Sequence, residues 1–538
     1  MPEYQYTEIR LIHVDLESDY QHTVFFEDPT EQIAYFAGRA VIDLKWGDFS
    51  YQRKDNTVNV NKSYDALLKD GINYAVYQNA HFNNKWFFCF ITKIEYVNPE
   101  VTRLYLETDV IQTWYFEYDL KPSFIEREHA ASDAPGDNLI DEGLELGEYI
   151  CNRHETSGYS DAGISAVIGV TKNPDGGRVL GAMGLNTYMG VQYYAYSLNA
   201  GTDESSALSD FISSYDEDAA ADAITCLFIA PTQLVGRSTQ HLIVGQKYSP
   251  NRVWINGGSG AEADFDIEFS DGKLNGYQPR NKKLLTYPYR YMLCSNNNGA
   301  AAVYKYELFY ASNDKPQFMI EGVVTPGCSI RLVPMFYNGE MQNDEEGLNM
   351  GKFPICNWTS DVYTNWLTQN GVNIAVELVT GAAKIAGGAA TTMFSGGLGA
   401  AVGGSTALSG VNDITSTLMQ IHQQSFVPPQ SKGNINSGDI ITASRRNDFH
   451  FYDMTIKRQF AEIIDDYFDM FGYKVNRVKY PAWNHREAYW YLKTKAVNLT
   501  GKIPQDDLKK LKDIFNNGVT FWRPNARFRD YTQSNLIM

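Results

Sequence analysis

Motifs that carry common enzyme chemistry are missing from this sequence of 538 residues. It has no Gly-x-x-x-x-Gly-Lys-Ser/Thr phosphate loop, no His-Glu-x-x-His zinc motif and no Gly-x-Ser-x-Gly nucleophile motif. The glycines at 397–403 superficially resemble a dinucleotide loop, but a predicted helix precedes them where that loop requires a strand. We therefore expect no catalytic residue, no cofactor and no resident metal.

Two groups of side chains have the types that carry chemistry without forming a convincing site. Glu126 and His129 are three positions apart, so on a helix they would share a face and ligate a metal. No further ligand cluster accompanies them, which favours a surface turn. The second group has the paired carboxylates of a glycosidase, although so many acids in eight residues more commonly form a solvated face: Asp141, Glu142, Glu145 and Glu148.

Cysteine is scarce, and no two cysteines have Cys-x-x-Cys spacing. This pattern favours buried, reduced thiols in a protein folded in cytosol for all six: Cys89, Cys151, Cys226, Cys294, Cys328 and Cys356. Residues 1–11 include charged positions and no apolar run, so we expect no secretory signal.

Positive charge is also scarce, and it is unevenly placed. The formal net charge is −18, whereas a protein that grips nucleic acid usually has a basic surface. No Lys or Arg lies between Arg178 and Arg237, yet residues 471–538 have 13 basic and 5 acidic side chains. Such blocks are usually solvated surfaces. The alternative is that faces of unlike charge meet between subunits.

Aromatic residues are abundant, at 14% of the chain with 36 tyrosines. They favour sheets and subunit interfaces, although a carbohydrate enzyme would show the same excess. Short aromatic runs between turn residues predict a mainly β chain (α+β) with antiparallel strands at 85–97, 103–107, 109–118, 223–230, 242–245, 284–291, 303–310, 318–324 and 329–335. Helices are predicted at 360–384, 415–424 and 508–515.

A long apolar segment interrupts this pattern. Residues 385–412 include no charged side chain over 28 positions and are rich in Gly and Ala. The length suffices for a membrane span, and the Gly399-x-x-x-Gly403 spacing allows helices to approach closely in lipid. Each interior Gly weakens a helix by about 0.5–1 kcal/mol relative to Ala. From the residues alone, a permanently packed hairpin and membrane insertion remain equally plausible.

Several stretches resemble a known family, the tail-knob or distal tail-tube proteins of picovirus-type short-tailed phages of Gram-positive bacteria. The stretches are Asp-Val-Ile-Gln-Thr-Trp at 109–114, Ser-Phe-Ile-Glu-Arg-Glu-His at 123–129, Ile-Asp-Glu-Gly-Leu at 140–144, Gly-Tyr-Lys-Val-Asn-Arg-Val-Lys at 472–479 and Ile-Phe-Asn-Asn-Gly-Val-Thr-Phe-Trp at 514–522. They cover about a third of the chain, near both ends. The apolar segment lies at the position of the family's long loop.

The resemblance implies a homohexameric tube of β-barrel or β-sandwich domains arranged as a ring around a channel for DNA. It implies that the apolar loops close the distal end and form a pore in the host membrane on ejection, which favours membrane insertion. The expected partners are sister copies, a proximal tail or collar protein, a tail-tip protein, phage DNA in transit and the host membrane. We expect a location in the virion tail after folding and assembly in the host cytoplasm. The residues assigned to membrane insertion are Ile385, Met393, Phe394, Leu398, Gly399, Val402, Gly403 and Leu408.

With this resemblance, the expected domains are a β-rich tube domain, an acidic inserted domain, a second β-rich domain, an apolar plug or membrane-active loop and a basic region that packs back on the tube domains. They occupy residues 1–130, 131–275, 276–366, 367–432 and 433–538 respectively. The alternative is another tail component, a baseplate hub or adaptor ring without membrane activity. A free pore-forming toxin would need a secretion signal, and a cell-wall hydrolase would need catalytic residues.

Overall fold

Strands dominate the computed structural model of the chain, which confirms the predicted mainly β class. The structure describes residues 8–359 and 449–538, apart from gaps at 46, 53–55, 80–82, 135, 158–163, 173–182, 185–186, 189–190, 198–210, 212–222, 232–235, 239–250, 255–262, 267–271, 297–299, 310–315, 323–329 and 351–355. The predicted strand at 242–245, the helices at 360–384 and 415–424 and the eight membrane-insertion residues therefore lie outside the described residues.

The chain forms two units, and both are discontinuous in sequence. Unit 1 consists of Met1–Leu146, Pro279–Leu284 and Arg458–Met538. Unit 2 consists of Gly147–Gln278 and Leu285–Lys457. The apolar segment lies within the sequence range of unit 2, and the chain returns to unit 1 only after it.

Unit 1 contains a seven-stranded sheet with apolar residues buried on both faces. Its strand order is β3 (Ala40–Leu44), β1 (Glu8–Ile12), β6 (Tyr74–Asn79), β7 (Lys85–Asn98), β8 (Val101–Thr108), β5 (Thr57–Val60) and β4 (Phe49–Gln52). Because neighbouring residues of a strand face opposite ways, Tyr74 joins one core and Ala75 the other. Helices α1 (Pro29–Ala37) and α2 (Tyr64–Lys69) supply Phe36 and Leu67 to these two cores.

A second sheet of unit 1 joins the two ends of the chain. Its order is β2 (His22–Val24), β31 (Val519–Trp522), β29 (Tyr489–Ala496), β10 (Ser123–Glu128) and β28 (Tyr473–Lys479). Strand β10 therefore pairs on both sides with strands more than 300 residues further along the chain. A two-stranded ladder of β9 (Tyr118–Leu120) and β30 (Leu499–Gly501) makes another such link.

Three further helices of unit 1 pack beside these strands: α3 (Val110–Trp114), α4 (Arg458–Phe471) and α5 (Gln505–Asn517). The prediction of a helix at 508–515 is confirmed by α5. The prediction of a strand at 109–118 is wrong, because the Asp109 side chain accepts a hydrogen bond from the Gln112 N–H and caps a helical turn. Helix α4 was not predicted.

Unit 2 contains three sheets in its described residues. The four-stranded sheet has the order β11 (Tyr149–Thr156), β27 (His450–Ile456), β20 (Arg290–Ser295) and β21 (Ala301–Tyr304). An eight-stranded sheet has β13 (Met183–Gly184), β14 (Thr187–Tyr188), β15 (Val191–Ser197), β12 (Ile164–Val170), β16 (Ile224–Pro231) and β26 (Cys356–Thr359), with β17 (Gly236–Ser238) and β18 (Asn251–Trp254) branching from β15. The third has β19 (Ala263–Asp266), β22 (Gln317–Gly322), β23 (Ile330–Tyr337), β24 (Glu340–Gln342) and β25 (Leu348–Met350).

The strand predictions for 85–97, 103–107, 223–230, 318–324 and 329–335 are confirmed by β7, β8, β16, β22 and β23. Two are largely wrong. Lys282–Leu285 is a 3-10 helix and the strand begins at Arg290, whereas β21 ends at Tyr304 and a second 3-10 helix, Tyr306–Leu308, follows it. The thiol prediction also needs a correction, since Cys89 and Cys294 are buried but Cys151 is exposed.

Candidate functional site

The described residues on either side of 360–448 show how the chain is fixed before and after the apolar segment. Strand β26 ends before the segment and β27 begins after it, and both belong to sheets of unit 2. The chain then enters α4 and β28 of unit 1. The candidate site is therefore the set of contacts that fix these segments, rather than a catalytic pocket.

A buried ion-pair cluster lies where β10 meets β28, and we define it by Arg127, Glu142, Lys283, Gly472 and Lys474. The Glu142 side chain is fully buried and accepts hydrogen bonds from the Arg127 guanidinium and the Lys283 ammonium group. Its Oε1 also accepts from the Lys474 backbone N–H at 2.9 Å. Arg127 Nη1 donates to the Gly472 carbonyl oxygen at 2.6 Å. One carboxylate therefore links all three chain segments of unit 1.

The cluster stabilises its charges by several contacts at once. Taking an ion out of water costs several kcal/mol, so a buried charge needs good hydrogen bonds. Lys283 Nζ also donates to the Ile140 carbonyl oxygen at 2.7 Å, while burial lowers the pKa of this lysine and Glu142 opposes that shift. The Arg127 guanidinium lies 4.8 Å from the centroid of the Tyr467 ring, a favourable cation–π contact.

Glu128 and His129 extend the cluster toward β29. Glu128 is fully buried, forms an ion pair with Lys479 and accepts a hydrogen bond from the Ala482 N–H at 2.7 Å. His129 Nδ1 accepts from the Tyr491 N–H at 2.7 Å, so Nε2 holds the proton and donates to the Asp469 carbonyl oxygen at 3.0 Å. Burial, with a smaller contribution from nearby positive charge, lowers the pKa of His129 to about 3.

These contacts correct two interpretations of the sequence. Glu126 lies in a strand and pairs with Lys493, and His129 is buried, so the two form neither a metal pair on one helix face nor a surface turn. Glu142 is not on a solvated face, whereas Glu148 is exposed and pairs with Lys457. In the parts of the chain that the structure describes, no group of His, Cys, Asp and Glu is arranged to hold a metal.

Gly472 allows the turn from α4 into β28 that brings these groups together. Its φ of +63° lies in the left-handed region, and a Cβ atom there would overlap the carbonyl group of Glu128. Helix α4, which leads into this turn, is held by Arg280, whose guanidinium forms ion pairs with three aspartates of the helix: Asp465, Asp466 and Asp469. Burial raises the pKa of Asp469 to about 6.

Strand β27 of unit 2, which follows the apolar segment, is held in the same way. Asp453 accepts from Arg290 Nε at 2.9 Å and Nη2 at 3.1 Å, and from the Tyr306 hydroxyl at 2.8 Å. At the start of β27 the rings of His450 and His154 stack with an interplanar angle of 6°. The first described strand after the apolar segment is therefore fixed by a buried ion pair.

The sequence pointed to some of these residues without showing their role. Arg127, Glu128 and His129 lie in the stretch that carries the family resemblance, but each has a partner more than 300 residues away in the sequence. Arg290 and Asp453 carried no signal in the sequence.

Comparisons with known proteins define the class first. Residues 5–119 match the family described as "Caudoviral major tail protein N-terminus", so this β-rich chain is a structural protein of a phage tail. Residues 258–536, more than half of the chain, match "Bacillus phage phi29, Tail knob protein gp9, C-terminal domain". The chain belongs to this tail-knob family, which confirms the resemblance.

Relatives and a structure agree with that assignment. The tail knob protein gp9 of Bacillus phage B103 is 27% identical, over 99% of this chain and 98% of the relative. Tail knob protein gp9 of Bacillus phage phi29 is 25% identical, over 96% of each. The structure of the bacteriophage C1 tail knob protein, gp12, shares the fold with a TM-score of 0.66 at 14% identity, covering 99% of this chain and 100% of that one.

Within the described residues, none of the helices combines the length and the apolar character that crossing a bilayer requires. The apolar segment lies outside them.

Proposed function

We propose that six copies of this chain form the distal tube of a short-tailed phage, that DNA passes through it, and that residues 367–432 enter the host membrane as a pore. The tail-knob family supports the place in the virion tail. The chain would fold and assemble in the host cytoplasm, contacting a proximal tail or collar protein at one end and a tail-tip protein at the other. None of these roles requires a catalytic residue.

The observation that carries the pore proposal is the 28-residue run without charge at 385–412. A run of this length and polarity is unfavourable in water but compatible with the hydrocarbon core of a bilayer. Lipid offers no hydrogen bonds to the backbone, so we propose that the segment becomes helical on insertion. Glu377 and Lys384 would then mark the amino-terminal boundary of the uncharged run.

The structure supports a division between a fixed frame and an inserted segment. In unit 1, buried ion pairs hold together parts of the chain that come before and after the apolar segment in sequence. In unit 2, the ion pair of Asp453 fixes β27. Removing one partner of a buried ion pair strongly destabilises the folded protein, because it leaves the other charge buried without a counterion. We therefore propose that residues 367–432 change their surroundings on ejection while the two flanking sheets keep their pairing.

The test is dye release from liposomes by the assembled protein, with and without residues 385–412. We expect release only from the full chain. Full-length variants sharpen the comparison: Phe394→Asp with Leu398→Asp should abolish release, whereas Thr391→Ser with Thr392→Ser should retain it. Equal release from the full chain and the deletion form would reject the pore.

Oligomeric state tests the tube separately. Electron microscopy of the purified protein should show rings with six subunits, and light scattering should give the matching mass. A monomer at high protein concentration would reject the tube. Six-fold rings that release no dye under any condition would instead favour an adaptor ring or baseplate hub.

A further inference from the structure

The two edges of the five-stranded sheet of unit 1 have opposite charge. Strand β28 is at one edge and β2 is at the other, four strand spacings away. Neighbouring strands lie about 4.8 Å apart, so roughly 19 Å separates the two edges. The stretch that contains β28 has no Asp or Glu between Asp469 and Glu487. The stretch that contains β2 has no Lys or Arg between Arg10 and Arg39.

The positive charges at the β28 edge lie close together. In the described part of the chain, β28 pairs only with β10, so its other side faces away from the sheet. Ile125 of β10 pairs with Arg477 on one side and with Thr494 on the other. Arg477 and Lys495 therefore lie at the same end of the sheet. Both are exposed, and neither has an acidic partner among the described residues.

Two large side chains are exposed among these charges. Val478 is 66% exposed and Tyr480 is 65% exposed. Protein interfaces commonly combine aromatic and Arg side chains with a polar rim, so this edge has the composition of an interface. We call the following residues the basic edge: Lys474, Arg477, Val478, Lys479, Tyr480 and Lys495.

The exposed acids on either side of β2 form what we call the acidic edge: Asp15, Glu17, Asp19, Glu27 and Asp28. Glu17 pairs with Arg529 and Glu27 pairs with Arg523. The other three carboxylates have no Lys or Arg partner in the part of the chain that the structure describes. The Val24 carbonyl of β2 accepts from the Gln112 amide at 2.8 Å, so a partner here would contact side chains and would not add a strand.

A second copy of this chain fits both edges. The formal net charge of −18 makes copies repel each other unless faces of unlike charge meet. Because the two edges are at opposite ends of one sheet, a contact between the basic edge of one copy and the acidic edge of another leaves one edge free on each. Repeating such a head-to-tail contact produces a closed ring or an open filament.

We propose that the basic edge of each copy packs against the acidic edge of the next copy. This rests on the proposed function only in that copies of this chain assemble, and it names the surfaces that meet. Val478 and Tyr480 become buried at the centre of the contact. The surrounding charges form ion pairs between copies and set their relative orientation.

Reversing the charge of either edge tests the contact. Arg477→Glu with Lys495→Glu reverses the basic edge, and Asp19→Lys with Glu27→Lys reverses the acidic edge. Like charges then face each other, so each form should raise the protein concentration at which half the chains are assembled by about a hundredfold or more. Light scattering over a dilution series of the full-length protein gives this concentration.

Combining both reversals in one chain is the sharpest comparison. Every contact then joins unlike charges again, so assembly should return to within about tenfold of the wild type, which also shows that the substituted chain folds. Lys62→Glu with Lys69→Glu is the matched control. Both lysines are exposed at or beside α2, which packs on the other face of the seven-stranded sheet, so the control should assemble normally. No recovery in the combined variant would overturn the proposal.

Tyr480→Ala tests the centre of the contact without changing charge. Because this side chain is exposed, its loss should leave urea unfolding of the dissociated chain unchanged and raise the half-assembly concentration at least about tenfold. Leu68→Ala is the control, since Leu68 is 51% exposed on α2. Equal assembly of the two variants would contradict the contact.

Electron microscopy of the same samples separates this proposal from the tube. Wild-type six-fold rings that the charge reversals leave intact would reject the contact and retain the tube. Open filaments that the reversals dissociate would retain the contact and reject the closed ring. A wild-type monomer at high protein concentration would reject both.

Discussion

His129 accepts a hydrogen bond at Nδ1 from the backbone N–H of Tyr491, at 2.7 Å, and this fixes the neutral form of its ring. This bond joins the residue directly after β10 to β29. The apolar segment lies between these two strands in the sequence. Protonating the ring would place a donor against a donor. The link between the ends of unit 1 is therefore sensitive to acid.

The first prediction concerns this sensitivity. The pKa of His129 is about 3 in the folded protein against an ordinary 6.5, so its stabilising effect is full above pH 6.5 and is lost as the pH falls toward 3. Each unit of difference corresponds to about 1.4 kcal/mol. Urea unfolding followed by tryptophan fluorescence should show the free energy of unfolding falling between pH 6.5 and 5.

His129→Asn tests the assignment, since its Oδ1 can still accept from the Tyr491 N–H. We expect this variant to be less stable at pH 8 and to show a weaker pH dependence between 6.5 and 5. An unchanged slope in that range would show that other groups control it.

The second prediction concerns Asp109, where the sign is reversed. Burial raises the pKa of this carboxyl to about 6, although hydrogen bonds from Gln112 and Tyr74 oppose the shift. A raised pKa gives stability that is full below about 3.8 and is lost as the pH rises through 6. Asp109→Asn retains a good helix cap and should remove this loss.

The measurement for Asp109→Asn is the difference in unfolding free energy between variant and wild type from pH 4 to pH 8. We expect the variant to gain on the wild type as the pH rises and to level off above pH 7. A difference that does not vary with pH would contradict the raised pKa.

The third prediction concerns the ion-pair cluster. Glu142→Gln leaves Arg127 and Lys283 buried without their shared anion, which should cost about 3–5 kcal/mol. Glu126→Gln removes a partly exposed ion pair with Lys493 in the same unit and should cost under about 1 kcal/mol. Equilibrium denaturation at pH 7.5 compares them, and equal losses would show that the cluster is no stronger than a surface pair.

The fourth prediction concerns Gly472. Gly472→Ala adds the strain of a left-handed conformation, about 1–2 kcal/mol, and also forces the Glu128 backbone to move. Gly143→Ala is the matched control, because Gly143 has a φ of +68° but no atom within 4 Å of an added Cβ. Thermal denaturation should show a much larger fall in Tm for Gly472→Ala, and similar falls would exclude the steric contribution.

The strands of this fold could be predicted where several signals agreed. Aromatic alternation and a following turn marked β7 and β8, and helical spacing marked α5. The run at 109–118 was misleading, because a short apolar run fits a strand or a helix and only the cap at Asp109 distinguishes them. A short apolar run by itself therefore does not distinguish a strand from a helical turn.

The ion-pair cluster could not be predicted for a different reason. Arg127 and Glu142 both lie in family-like stretches, yet the group of acids that includes Glu142 indicated a solvated face. Their buried contacts include the backbone of Gly472 and Lys474, which are distant in sequence. These residues lie beside the cluster because β28 pairs with β10. Such pairing across hundreds of residues leaves no periodic pattern.

The position of β10 between β28 and β29 has one more consequence. A protease that severed the backbone anywhere in 367–432 would yield two polypeptides, each with only part of the second sheet of unit 1. Those pieces would stay associated, since separating them means pulling a strand out from between two others. The cleaved protein would therefore keep its elution volume in size-exclusion chromatography, and the two polypeptides would separate only in denaturant.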